Sequence, residues 1–181
     1  LRGNHEQWML DAAKEMRAAG WYGFGGRETI ASYRPETVEE IEELLATGEL
    51  PHQEPLPLRP FFESIPVAHL RLLKHTVLYH EEPGFVFVHA GILPDVPMAE
   101  QRRPTLLMGN HRFFDRYKGK ATVVFGHYGT PHLRKDGKPL PYAPRRQKII
   151  GLDTLVYETG VLTAMEVRTR RIWQTQPFGG T

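Results

Sequence analysis

The chain has 181 residues, with 23 Lys or Arg, 21 Asp or Glu, nine His and no Cys, which gives a formal net charge of +2. This length suffices for a hydrophobic core without covalent cross-links, and the lack of cysteine excludes disulfides, thiol nucleophiles and thiolate-bound metals. No apolar run approaches the roughly 20 residues that cross a bilayer, so we expect no membrane partner and a cytoplasmic location.

Four predicted helices dominate the first half of the sequence, separated by a glycine- and aromatic-rich turn and a proline-rich loop. Gly20 is placed to end the first helix, and Thr37 and Glu40 have capping-box spacing at the start of the third. The predicted helices are 6–19, 27–33, 38–46 and 66–73, with the turn at 21–26 and the loop at 51–60.

The second half of the sequence is typical of a β-sheet. Short apolar or β-branched runs alternate with turn residues, and the Glu-Glu-Pro-Gly segment at 81–84 indicates a hairpin or a pair of adjacent strands. Helices followed by short strands favour an α/β sandwich with functional residues at the strand ends. We expect a single domain over residues 1–181. The predicted strands are 76–80, 85–89, 123–126, 148–153, 161–167 and 171–175, with a helix at 105–114.

Charge is unevenly distributed along the chain. Residues 116–171 contain 12 Lys or Arg against 4 Asp or Glu, a balance of +8, whereas residues 1–115 contain 11 against 17, a balance of −6. The basic part either attracts phosphate-bearing partners or consists of solvated loop and strand faces. We do not expect nucleic acid as a partner, because the basic part lacks the interleaved aromatic residues of single-strand binders.

Four polar segments stand where a strand ends or a helix begins. They are the Gly-Asn-His-Glu segment at 3–6, His89, His127 and Asp153. Imidazole and amide oxygen suit a divalent metal when thiolate is absent. A single histidine after an apolar strand is more often a hydrogen-bonded structural residue, so the residues alone leave the structural and the metal-binding interpretations both open.

The motifs of the chain resemble those of a known enzyme family. Segments 1–6, 87–101, 123–130 and 150–166 are similar, in this order, to the later motifs of the calcineurin-like metallophosphoesterases, in the phosphoprotein phosphatase branch. This branch includes bacterial serine/threonine phosphatases and symmetrical dinucleoside tetraphosphatases. Segment 26–33 also resembles the glycine-glycine-x-x-threonine segment of the bacterial members. The resemblance implies an α/β fold, a four-layer α-β-β-α metallophosphatase sandwich.

The same resemblance implies roles for individual residues. Asn4, His89 and His127 match ligands of the second of two divalent metal ions, which would be Mn²⁺, or alternatively Fe or Zn. His5 matches the general acid that protonates the leaving group. The implied mechanism is direct attack on phosphorus by a water that bridges the two metals. The substrate would be a phosphorylated protein (phosphoserine or phosphothreonine) or a phosphorylated small molecule, a dinucleoside polyphosphate.

The first departure from the family pattern concerns the N-terminal motifs. The family's first two motifs, which supply the first metal's ligands, the bridging Asp and a phosphate-binding Arg, precede the Gly-Asn-His-Glu motif, which starts here at Gly3. We therefore expect that the N-terminal portion of the domain is missing and that this chain does not complete a two-metal centre. Asp11, Glu15 and Asp153 are not expected to substitute. The alternative to an enzyme is a non-catalytic, truncated phosphatase-like domain.

The second departure concerns substrate binding. Bacterial relatives often have Leu-Leu-Trp-Ile-Arg where this chain has residues 106–110, so that Asn110 takes the place of the phosphate-binding Arg. Arg112, two residues later, is either a substrate-binding residue or a surface charge. Tyr128 stands where relatives commonly have Thr.

The remaining histidines match none of the family's ligand positions. We expect them at the surface or in structural hydrogen bonds, except that His111 borders the expected substrate rim. The others are His52, His69, His75, His80 and His132.

Overall fold

A computed structural model describes residues 1–16, 19–48 and 55–178 of the chain. It divides into a helical unit, Arg2–Thr76, and a sheet unit, Val77–Thr181. Each unit has its own hydrophobic core. Ile30, Ile41 and Phe61 are fully buried in the helical unit. None of the described helices is long and apolar enough to cross a membrane.

The helical unit begins with α1, Asn4–Glu15. The backbone N–H of Gly3 donates to the Glu6 carboxylate at 2.7 Å, so this side chain satisfies an orphan donor at the helix start. The helix ends at Met16, whose backbone is left-handed at φ 52°. The predicted end at residue 19 is therefore wrong, and Gly20 lies inside the next helix. The other helices of this unit are α2 Ala19–Trp21, α3 Arg27–Tyr33, α4 Pro35–Thr47, α5 Arg59–Ser64 and α6 Val67–His75.

Two of the remaining helix predictions are confirmed within two residues, those for α3 and α6. The predicted capping box of α4 is wrong, because Pro35 occupies the first helical turn and Arg34 the N-cap. The Thr37 hydroxyl is buried and has no hydrogen-bond partner among the described residues. The proline-rich loop ends before Arg59, where α5 begins, and positions 51–54 lie outside the described residues.

The sheet unit contains a four-stranded sheet in the order β1-β2-β3-β4, and a separate two-stranded antiparallel sheet, β5-β6. The first pair is an antiparallel hairpin, as predicted, and β2, β3 and β4 run parallel. The strands are β1 Tyr79–Glu82, β2 Phe85–Val88, β3 Thr122–Phe125, β4 Ile149–Gly151, β5 Thr163–Glu166 and β6 Arg171–Gln174.

The parallel strands form the core of this unit. Val123, Phe125 and Ile149 are almost completely buried, as expected for a parallel sheet covered on both faces. Helices cross between the parallel strands, as parallel connections require. The sheet unit's helices are α7 Arg103–Met108, α8 Arg112–Arg116, α9 Thr130–Leu133 and α10 Val156–Thr159, with a 3₁₀ turn at Met98–Glu100.

The single helix predicted over 105–114 is wrong, since α7 and α8 are separate. The break falls at Gly109, which has φ 76° and lies so close to the Tyr128 ring that a Cβ atom would overlap it. Only glycine meets both demands. The mixed α/β class is confirmed, whereas the four-layer sandwich stays a prediction.

Candidate functional site

Three polar residues of the sheet unit lie at one edge of the sheet. His89 follows directly after β2, His127 lies two residues after β3, and Asp153 lies two residues after β4. Because β2, β3 and β4 are adjacent and parallel, their carboxyl ends meet at the same edge. Ligand sites of parallel α/β sheets form at such edges.

His89 and His127 are in direct contact. Their ring centroids lie 5.0 Å apart with the planes inclined by 61°. The backbone N–H of Gly126 donates to the His89 carbonyl at 2.8 Å and so extends the pairing of β2 and β3 up to the two rings. Imidazole nitrogens are common ligands of divalent cations, so these two neighbouring rings are candidates to hold one cation together.

The backbone of His127 is strained. Its φ of 62° is left-handed, a conformation that costs a non-glycine residue about 1 kcal/mol or more. Such strain persists where the surroundings impose it and is concentrated at functional sites. Here the next residue imposes it, because the Tyr128 N–H donates to the Gly126 carbonyl at 2.6 Å and the Tyr128 ring lies 5.2 Å from the His127 ring.

Tyr128 joins His127 to the α7–α8 break. Its ring packs edge-to-face on Phe114 at 4.9 Å, and its hydroxyl donates to the Met108 carbonyl at 3.0 Å. Burial raises the pKa of the Tyr128 hydroxyl from its ordinary value. The large Tyr128 side chain thus supports His127 from one side.

Asp153 serves local structure at the same edge. Its carboxylate accepts the N–H of Leu155 at 3.0 Å, and its carbonyl accepts the N–H of Thr130 at 2.7 Å. No group of three His, Asp or Glu side chains that could hold a metal ion occurs in the described parts of the chain. His89 and His127 thus form a pair of candidate ligands, without a third His, Asp or Glu beside them among the described residues.

Arg112 begins α8 with an exposed side chain. The Asn110 side-chain oxygen accepts the Arg112 backbone N–H at 2.9 Å, which forms an Asx turn just before this short helix. The Arg112 guanidinium makes no hydrogen bond to the described residues. Its predicted role in substrate binding is untested and remains a proposal.

The other two predicted site residues, Asn4 and His5, open α1 in the helical unit. Asn4 is buried, and the side chain of His5 is exposed. The preceding residue, Arg2, anchors this segment to the end of α6, since its guanidinium donates to the Thr76 hydroxyl at 3.0 Å, the Thr76 carbonyl at 2.9 Å and the Lys74 carbonyl at 3.2 Å. These bonds also satisfy carbonyls that the end of a helix leaves unpaired.

A glycine turn lies against His5. Gly25 has φ 89°, and a Cβ atom there would lie 3.5 Å from Cε1 of His5. The Thr29 hydroxyl donates to the Gly25 carbonyl at 3.1 Å and closes this turn. On the other side, the Trp8 ring lies 5.0 Å from the His5 ring. The glycine-glycine-x-x-threonine segment therefore helps to set the surroundings of the predicted acid, a role that its sequence does not reveal.

His5 also lies at a cleft of about 350 Å³ within the helical unit. His69, expected at the surface or in a structural hydrogen bond, is exposed and bonded through Nδ1 to the Tyr33 hydroxyl at 2.8 Å, but it also lines this cleft. Since 64 positions separate His5 from His69, no local pattern announces the cleft. Its lining residues are His5, Glu6, Met9, Trp21, Thr29, Tyr33, His69, Leu72 and Leu73.

Comparison with known proteins adds one structural similarity. No family model matches the chain, and no curated protein is significantly similar to it in sequence. A crystal structure of a "putative diadenosine tetraphosphatase" is similar over 81% of this chain, with a TM-score of 0.53 and 19% sequence identity. The similarity covers 66% of that protein, just under two thirds of its length. At this identity the similarity concerns the fold, so the chain shares its α/β fold with that structure.

Proposed function

We propose that this protein is a metal-dependent phosphoester hydrolase. The observation that carries the proposal is the contact between His89 and His127, which follow adjacent parallel strands with their rings 5.0 Å apart. The fold shared with a protein described as a tetraphosphatase supports the same class of reaction. The order of the motifs along the sequence supports it independently.

In this proposal, His89 and His127 would hold a divalent cation, preferably Mn²⁺, and the resemblance of the motifs implies the same role for Asn4. Two neutral imidazoles and one neutral amide leave the full positive charge of the cation available to a phosphate group. A bound cation of this kind lowers the pKa of its water and neutralises phosphoryl oxygens. The backbone strain at His127 and the packing of Tyr128 fix the direction in which the second imidazole points. A second metal would need ligands beyond the described residues.

His5 is proposed as the general acid. Histidine is the side chain best suited to donate a proton near neutral pH, and an exposed position leaves it accessible to a substrate. The oxygen of a water would form the new bond to phosphorus while the bond from phosphorus to the leaving oxygen breaks, and that leaving oxygen would take the proton from His5. Trp8 and the Gly25 turn limit the orientations of the ring.

Two substrate classes remain candidates. A phosphoserine or phosphothreonine protein follows from the resemblance of the motifs to bacterial phosphatases. A dinucleoside polyphosphate follows from the same branch and is favoured by the fold shared with a "putative diadenosine tetraphosphatase". Competition between a phosphopeptide and a dinucleoside tetraphosphate for one hydrolytic activity separates the two classes, because the preferred substrate inhibits turnover of the other at the lower concentration.

Hydrolysis of an aryl phosphate with and without Mn²⁺ tests the proposed reaction. The assay uses the gene product together with any residues that precede Leu1. We expect Mn²⁺-dependent release of phosphate, lost in His89→Ala and His127→Ala. The matched control is His80→Ala, an exposed histidine of β1 in the same unit. Absence of metal-dependent hydrolysis would contradict the enzyme proposal and favour a non-catalytic phosphatase-like domain.

The role of His5 is tested by separating turnover from metal binding. We expect His5→Ala to lower kcat by about 10²–10⁴-fold, the usual contribution of a general acid, with Mn²⁺ affinity unchanged in a titration followed by electron paramagnetic resonance. His75→Ala, an exposed histidine of α6, serves as the control. An equal loss of Mn²⁺ binding in His5→Ala would assign this histidine to the metal instead.

A further inference from the structure

The cleft beside His5 has the properties of a small-molecule site. Its volume of about 350 Å³ falls within the range of roughly 300–1,000 Å³ that is usual for such sites. Because a general acid protonates the leaving group, a cleft that His5 lines is positioned to hold that group. We propose that this cleft binds the heteroaromatic ring of a nucleotide leaving group.

The floor and rim of the cleft suit a planar ring. Met9 and Trp21 are buried, with 6% and 3% of their surfaces exposed, and they present an apolar, partly aromatic floor. Leu72 lines the rim with 70% of its surface exposed. A base in the cleft would cover this side chain and would have the half-buried ring of Tyr33 beside it. Stacking on an aromatic ring favours any base because every base has a π-face.

Polar groups on one wall are already oriented. The Tyr33 hydroxyl and Nδ1 of His69 are hydrogen-bonded at 2.8 Å, and the two rings lie in a T-shaped arrangement, at 71° with their centroids 5.8 Å apart. When the Tyr33 hydroxyl donates, the proton of His69 lies on Nε2, where it would meet a ring nitrogen. The Thr29 hydroxyl donates its proton to Gly25 and keeps its lone pairs as acceptors. A purine offers matching acceptors and an exocyclic amine.

The charge of the cleft suits the neutral base of a nucleotide and not its phosphate chain. Glu6 lines the cleft, and none of its described lining residues is Lys or Arg. An acidic lining repels phosphate and accepts a neutral base, so the phosphate chain would lie outside the cleft. A peptide would instead need an extended groove with backbone partners along its length. A ring in the cleft places the leaving nucleotide next to His5, whose proton goes to the oxygen released when the bond to phosphorus breaks.

The assignment of the ring to a leaving group rests on the proposed hydrolase function, but binding of the ring does not. Calorimetric titration of the full chain with adenosine, without metal, therefore tests the site separately. We expect saturable binding that weakens about tenfold in Leu72→Glu, which replaces apolar contact area with a charge. The matched control is Val67→Glu on the same helix, where Val67 is 63% exposed and does not line the cleft. Thermal unfolding of both variants verifies that they fold.

A second measurement links the cleft to turnover. In the active gene product, the KM for a dinucleoside tetraphosphate should rise about tenfold in Leu72→Glu and stay constant in Val67→Glu. If the gene product without substitutions binds adenosine but does not hydrolyse the dinucleoside tetraphosphate, the hydrolase proposal is rejected and the proposed binding site is retained. No adenosine binding, or equal weakening by both variants, would overturn the site. Competition by a phosphopeptide but not by adenosine would also overturn it and assign the cleft to a peptide.

Discussion

His127 combines a candidate metal ligand with an unfavourable backbone conformation. Its left-handed φ of 62° is a conformation that glycine adopts without a steric penalty. At the residue scale, the effect of this position on stability can therefore be measured separately from its effect on metal binding, by comparing two substitutions.

We expect His127→Gly to be more stable than His127→Ala by about 1 kcal/mol, because only alanine retains the steric penalty of the left-handed region. Both variants should lose Mn²⁺ binding to the same extent. Urea unfolding measures the first quantity and electron paramagnetic resonance the second. Equal stability of the two variants would mean that the backbone relaxes out of the left-handed region once the imidazole is removed.

Gly25 permits a second prediction at the same scale. Gly25→Ala and Gly48→Ala should each cost about 1 kcal/mol, because both positions have positive φ, 89° and 71°. A methyl group at position 25 would contact His5, whereas none of the described atoms lies within 4 Å of one at position 48. Only Gly25→Ala should therefore lower kcat, by about three- to tenfold. If the two variants have equal effects on kcat, the Gly25 turn does not position His5.

At the element scale, the break between α7 and α8 depends on a contact from a distant part of the chain. Tyr128 packs against Gly109 and donates to the carbonyl of Met108, the last residue of α7. The same ring contacts His127. One side chain thus connects the end of a helix with the edge of the sheet.

Tyr128→Phe should destabilise the protein by about 0.5–1.5 kcal/mol, the usual contribution of one hydrogen bond. Mn²⁺ affinity should be unchanged in this variant, because phenylalanine keeps the ring against His127. Tyr128→Ala removes the ring as well and should weaken both stability and Mn²⁺ binding. Urea unfolding and Mn²⁺ titration of the pair test this division, which equal Mn²⁺ affinities of the two variants would contradict.

Local sequence patterns predicted the strands and helices that depend on residues close to one another in the sequence. The hairpin of β1 and β2 follows from the Pro-Gly pair between two β-rich runs, and the parallel strands follow from short apolar runs. The boundaries that were wrong have other causes. The first helix ends at Met16 without a glycine, and α7 ends at Gly109 because Tyr128, 19 positions further on, packs there.

The residues of the candidate site also differ in whether the sequence could predict them. His89 and His127 are recognisable because each follows an apolar run, and the parallel topology then explains their contact. The cleft that contains His69 depends on the packing of α6 in the helical unit, and a sequence pattern carries no record of such long-range contacts.

At the scale of the whole molecule, both units contain tyrosines whose hydroxyls are harder to ionise because they are partly buried. Burial is the principal cause that raises the pKa values of Tyr22 in the helical unit and of Tyr117 and Tyr128 in the sheet unit. Since an unfolded tyrosine ionises at about pH 10, the unfolded chain releases these protons before the folded chain does. The contribution of these tyrosines to the free energy of unfolding is therefore fully present below pH 10 and is lost as the pH rises further.

We therefore expect these tyrosines to leave the free energy of unfolding unchanged between pH 8 and pH 9. Above pH 10 we expect them to lower it. Urea unfolding at pH 8, 9, 10.5 and 11 measures the decline. Tyr117→Phe, which removes one titrating group of the sheet unit, should show a shallower decline than the wild type. A decline of equal slope in this variant would show that other groups control alkaline unfolding.

The parallel arrangement of β2 and β3 also has a kinetic consequence. His89 and His127 lie 38 positions apart in the sequence, and α7 and α8 lie between them. Nonlocal parallel pairing forms slowly because a long loop must close first. The two imidazoles therefore meet only when this loop has closed, so the onset of Mn²⁺ binding during refolding would time the docking of these two strands.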